Sequence, residues 1–231
     1  MEFTPEETTA LLLSLKVAAW SVAASLPFAV AVGYLLARAD FPGKTLFDAL
    51  IHLPLVLPPV VIGFLLLLLF GRNGPVGSVL DRWFGIVFAF RWTGAALAAA
   101  IMGFPLMVRA IRLSVAAVDR RLEVAARTLG ASPVRVFLTI TLPLAAPGLI
   151  TGALLSFARS LGEFGATITF VSNIPGETQT LPLAIYGATQ IPGGDWQALR
   201  LSLVATVLSI AALVASEWLT RRARPEKGLW G

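Results

Sequence analysis

The chain has no cysteine, a single histidine (His52) and two tyrosines in 231 residues, and charged side chains make up only 13% of it. Without cysteine there is no disulfide scaffold, no thiolate metal site and no cysteine redox chemistry. A lone histidine builds no metal centre, and no carboxylate cluster stands near His52 in the sequence. It reads as a structural or interfacial residue rather than a proton relay. The shortage of charge excludes a water-covered globular surface, because soluble domains carry about 25% charged residues. Disorder is excluded from the other side, by 57% apolar side chains and a mean hydropathy of +0.81. What remains is the composition of a membrane protein. Its net charge of +5 then belongs to cytoplasmic loops rather than to a nucleic-acid surface.

A membrane span takes about 20 mostly apolar residues, since the hydrocarbon core is roughly 30 Å thick and a helix rises about 1.5 Å per residue. Five stretches qualify: residues 11–36 (interrupted by Lys16), 46–70, 92–108, 143–171 and 201–219. The expected fold is all-α, a polytopic membrane bundle of five helices forming one domain over residues 1–231. Glu2, Glu6 and Glu7 are the reverse of a signal peptide's basic start, so the first stretch is expected to remain as a helix. Orientation follows from bases on alternate sides. Arg38, Lys44, Arg109, Arg112, Arg120, Arg121, Arg127, Arg135, Arg221, Arg222, Arg224 and Lys227 fall on one side, against Arg72, Arg82, Arg91 and Arg200 on the other. That bias puts the N-terminus outside and the C-terminus in the cytoplasm. Between turn signals in the second outer loop, residues 181–191 are too short to span and read as a short interfacial helix.

The segment 119–133 between the third and fourth spans is the most informative. Asp119 can cap a helix in which Leu122, Ala125, Ala126 and Leu129 make one narrow apolar stripe. Glu123 and Arg127 stand i,i+4 in the favourable order for an ion pair. Gly130 can take the left-handed conformation that ends a helix. Ser132 can cap the next one, with Pro133 at its first position. The sequence therefore writes helix, sharp corner, helix. One reading is an amphipathic helix resting on the membrane; the other is a rigid knob that docks into a partner protein.

These residues carry a resemblance. Ala125-Ala126, Gly130 and Ile140-Thr141-Leu142-Pro143 resemble the EAA signature of ABC importer permeases, in spacing as well as identity. The acid departs from the pattern: it is Glu123, one place early, and Val124 fills the signature position. Residues 41–44, 52–60, 156–171 and 173–177 are similar to molybdate permease subunits within that family, less decisively separated from tungstate and sulfate carriers. The resemblance implies a type I importer transmembrane domain, paired with a second copy of itself. It also implies two copies of a cytoplasmic ABC ATPase and an extracytoplasmic oxyanion-binding protein. Glu123, Ala125, Ala126, Arg127, Gly130, Ala131 and Pro133 would form the coupling segment seated in the ATPase. ATP would be bound there and not here: Gly43-Lys44-Thr45 matches the tail of a phosphate loop, but Arg38 stands where its first glycine belongs. No cofactor is expected of this chain, which would be a non-catalytic subunit of a bacterial or archaeal cytoplasmic membrane.

Polar groups inside an apolar span mark either helix locks or a solute path. Arg159 and Glu163 stand i,i+4, with Ser156, Ser160 and Thr167 on or beside the same face. These five are the candidate anion path, a structural ion pair being the competing reading. Pro54, Pro58, Pro59 and Pro105 interrupt apolar helices, as happens beside transporter cavities and at simple kinks alike. A stand-alone secondary transporter or channel would need its own coupling-ion site and usually an internal repeat; neither is visible.

Overall fold

A computed structural model describes residues 4–223, and every regular element among them is helical. Glu2, Arg224 and Lys227, used above for the N-terminus and the orientation, lie outside the described residues. Helix α1 (Pro5–Arg38) starts at a capping box, in which Thr4 Oγ1 accepts from the Glu7 amide and Glu7 Oε2 from the Thr4 amide. Helices α2 (Lys44–Val56) and α3 (Pro59–Phe70) follow, then α4 (Pro75–Phe84) and α5 (Trp92–Ala117). Helix α6 (Arg120–Thr128) leads through a corner to α7 (Pro133–Val136), a π-helical turn at Phe137–Thr141 and α8 (Leu142–Leu161). Helices α9 (Gly165–Val171), α10 (Leu181–Thr189) and α11 (Asp195–Ala223) complete the described residues.

Among the described residues, four helices are long and apolar enough to cross a membrane: α1, α5, the run Pro133–Leu161, and α11. The expected second span is not one helix. Helices α2 and α3 meet at 111°, because Pro58 and Pro59 lack amide hydrogens and force the preceding backbone into extended geometry, with ψ of 142° at Leu57 and 133° at Pro58. Five spans are counted only if this bent pair is one. The third span runs nine residues further than expected, to Ala117. The fourth is broken: α8 stops at Leu161 and α9 restarts at Gly165. The short helix expected in the outer loop exists as α10. It packs against α1 and α11, with Leu181 and Leu183 buried.

The centre is a three-helix contact of α1, α5 and α8. Lipid chains are as apolar as leucine, so membrane helices associate through close packing of small residues. Ala95, Ala98 and Ala99 of α5 are wholly buried. A Cβ added at Gly148 of α8 would stand 2.1 Å from the Ser114 Cβ of α5, so only glycine allows that approach. Helix α3 packs on α9, and α1 is tied to α10 and α11 by polar contacts. Glu7 pairs with Arg200, and Ser14 Oγ accepts from the Leu181 amide at 2.6 Å. The Lys16 ammonium sits 3.6 Å over the Trp92 ring.

Candidate functional site

Two interruptions of the helical course hold the residues singled out in the sequence: the elbow between α5 and α8, and the break between α8 and α9. The elbow forms as its local chemistry dictates. Asp119 Oδ1 accepts from the Arg121 amide at 2.9 Å and opens α6. Gly130, at φ +88°, closes it. The Gly130 amide donates to Arg127 O at 2.9 Å and the Ala131 amide to Ala126 O at 3.0 Å, the paired bonds of a glycine C-terminal cap. Ser132 Oγ then accepts from the Arg135 amide at 3.3 Å, with Pro133 in the first position of α7.

The elbow's ion pair differs from the local rule. Glu123 does not pair with Arg127. Its carboxylate turns inward and accepts from Arg38 Nη2 at 2.9 Å and from the Thr141 hydroxyl at 2.7 Å. Arg38 Nη2 also donates to Val118 O at 3.0 Å. Both charged side chains are sunk, at 10% and 9% exposure. One carboxylate thus joins the end of α1, the start of the elbow and the π turn. A turn of that kind is rare and places an extra residue in the helix, and it is this turn that carries Thr141. With Glu123 inside, the apolar side chains of α6 face outward. Leu122 is 49% exposed and Leu129 89%; Ala125 is exposed and Ala126 half-buried. Arg127, Ala131 and Pro133 lie at or near that open surface.

Close by, Gly43-Lys44-Thr45 makes a corner instead of a phosphate cradle. Gly43 is left-handed at φ +84°, and Lys44 Nζ donates to Ala39 O at 2.8 Å and Asp40 Oδ1 at 2.9 Å. That hydrogen bond holds the exposed Asp40 carboxyl below its ordinary pKa. His52 has a single carboxylate at hand: Asp48 lies 3.3 Å from its Nδ1 and bonds Arg112 of α5 at 2.8 Å. No group of three or more metal-ligating side chains occurs among the described residues.

At the break, Arg159 Nη1 stands 2.7 Å from Glu163 Oε2, with side-chain exposures of 29% and 2%. Glu163 lies beyond the last residue of α8, and its Oε1 accepts from the Ala166 amide at 2.9 Å. The carboxylate therefore caps α9 as well as balancing the arginine. The remaining candidates are packed inward within the chain. Ser160 Oγ lies 3.0 Å from Ser21 Oγ of α1, Ser156 Oγ fills the space left by Gly103 of α5, and Thr167 is buried. Among the five, only Arg159 is partly open to the surface of a single chain. Arg38 and Thr141 are the partners of Glu123 that the sequence reading missed; the signal was an acid at position 123 that lies off the apolar stripe of α6.

Residues 29–225 match the family described as the binding-protein-dependent transport system inner membrane component, and the chain belongs to that family. It is 59% identical to the molybdenum transport system permease protein ModB of Escherichia coli (strain K12) over 228 residues, 99% of this chain and 100% of that one. Identity to the ModB of Haemophilus influenzae is also 59%, over 96% of this chain and 97% of that one. In fold it resembles a chain of the bacterial alginate ABC transporter solved in complex with an alginate pentasaccharide-bound periplasmic protein. The TM-score is 0.74 at 15% identity, covering 95% of this chain and 80% of that one.

Proposed function

We propose that this chain is the permease subunit of an ATP-driven molybdate importer, working by alternating access with its N-terminus outside and C-terminus in the cytoplasm. The observation that carries the reading is the elbow: a helix whose acid is locked inward and whose leucines stand open. Membrane contact alone gives no reason for Glu123 to reach 85 residues back to Arg38. A handle that must pass force to the bundle does. Two copies related by a two-fold axis would present two elbows, one to each of two ATPase subunits. ATP binding and hydrolysis belong to those partners. An extracytoplasmic binding protein would supply the anion, and the 59% identity to ModB of Escherichia coli supports molybdate as the cargo. Helices α6 and α7 would move as one piece with the end of α1. At the break, Glu163 offsets the Arg159 charge, which suits weak passage of a dianion rather than tight holding.

The test is purification with the candidate ATPase in lipid, followed by ATP hydrolysis with and without anion-loaded binding protein. Hydrolysis should rise with molybdate-loaded protein. A larger rise with the sulfate- or tungstate-loaded form would reassign the cargo. Failure of this chain to copurify with any ATPase would refute the importer reading.

A further inference from the structure

Membrane arginines in this chain come with acids. Arg38 faces Glu123, Arg112 faces Asp48, Arg159 faces Glu163 and Arg200 faces Glu7. Arg109 breaks the pattern: among the described residues it has neither a carboxylate nor a hydrogen-bond partner. It lies in α5 eight residues before Ala117, about 12 Å from the elbow end of that helix. An unpaired arginine within an apolar span is costly against hydrocarbon, and such residues usually face protein interior or a water-filled passage. Arg109 is exposed on the single chain, and it walls a groove of about 500 Å³ between α5 and α8, with Leu113, Ser114, Gly148, Thr151 and Leu155. Glycine at position 148 keeps the two helices close along its floor. The α8 wall leads on from Thr151 through Leu155 to Arg159 in steps of four residues, one face of the helix. Arg159 and Arg109 thus lie along one α5/α8 face, the first neutralised by Glu163 and the second not.

Resting on the importer reading above, we propose that Arg109 is the elbow-side station for the translocated oxyanion. Its guanidinium has five N–H donors in a planar fork, which suits two oxygens of a tetrahedral dianion. The balanced Arg159 passes the anion along; Arg109 holds it until movement of the elbow, two helical turns away, alters the groove.

The experiment uses the full complex of permease, ATPase and binding protein in proteoliposomes, with radiolabelled molybdate and sulfate. Arg109→Ala should lower anion uptake by about tenfold or more, the loss of hydrogen bonds to a charged group. Hydrolysis stimulated by the loaded binding protein should stay within about twofold of wild type, and Arg109→Lys should recover part of the uptake. Because the chain lacks cysteine, Arg109→Cys provides the only thiol in it and a second readout should the alanine variant fail to assemble. That thiol should react with a charged, water-soluble reagent. Uptake by Arg109→Ala within twofold of wild type would overturn the proposal. So would an Arg109→Cys thiol that reacts only with a lipid-soluble reagent, which would put the side chain at the lipid surface. If the wild-type complex carries sulfate and not molybdate, the cargo assignment falls while Arg109 is judged on sulfate uptake.

Discussion

At the elbow, Glu123 and Arg38 sink together, each about one-tenth exposed. At the break, Glu163 is buried at 2% while Arg159 stays open at 29%. Each glutamate also meets a second group, Thr141 in one case and the Ala166 amide in the other. The symmetrical pair is an anchor: neither charge is available to anything else, and three pieces of backbone are held by one carboxylate. The lopsided pair differs: the acid is fixed by its capping bond, and the cation stays partly exposed on the single chain. One chemistry, arginine with glutamate, is therefore closed off in one region and half-open in the other, and under the proposed function the first would serve mechanical connection and the second charge tuning.

The sharpest way to break this comparison is Glu123→Leu. It leaves Arg38 buried and unpaired, and removing one partner of a buried pair destabilises by about 3–5 kcal/mol. Thermal unfolding of the purified chain should show that loss, and a shift of less than one-fifth of it would refute the anchor. Gly130→Ala comes next. A side chain at φ +88° strains the backbone by about 1–2 kcal/mol, so the corner should loosen and stimulated hydrolysis should separate from transport. Full coupling in that variant would argue against a rigid corner.

Glu163→Gln should be milder in stability, about 1 kcal/mol, because the amide oxygen of the replacement can still accept from the Ala166 amide. Its effect should appear in uptake, which an unbalanced Arg159 would slow by holding the anion. Wild-type uptake rates in both Glu163→Gln and Arg159→Ala would remove the break from the path. Leu129→Asp should leave stability within about 0.5 kcal/mol, as for other surface changes, since Leu129 is 89% exposed. Capture by the ATPase should nonetheless be lost. Unchanged capture would mean that the open ridge of α6 is not the docking face.

Much of the elbow was legible because its grammar is local. Asp119, Gly130, Ser132 and Pro133 each act on backbone within four residues, and all four do in the structure what their types predict. The partner of Glu123 was not legible. Helical spacing nominates Arg127, and a residue 85 positions earlier has no local signature. The π turn was invisible for a related reason: residues 137–141 read as ordinary helix, and the extra residue shows only where Thr141 must meet Glu123. The serine face of α8 was correctly seen as small and polar, but the pattern alone does not say whether such a face lines a passage or meets another helix. Within the single chain, Ser160 meets Ser21 of α1 and Ser156 meets Gly103 of α5.

Composition and hydropathy by themselves settled that this is an all-helical membrane chain, because backbone in hydrocarbon must satisfy its own hydrogen bonds and a helix does so within one segment. Local residue types settled where the elbow bends. Tertiary packing alone decided which acid meets which base, since a buried charge takes whichever partner the closely packed helices bring within reach, and that choice separates an anchored arginine from a half-open one and from Arg109, which has none among the described residues.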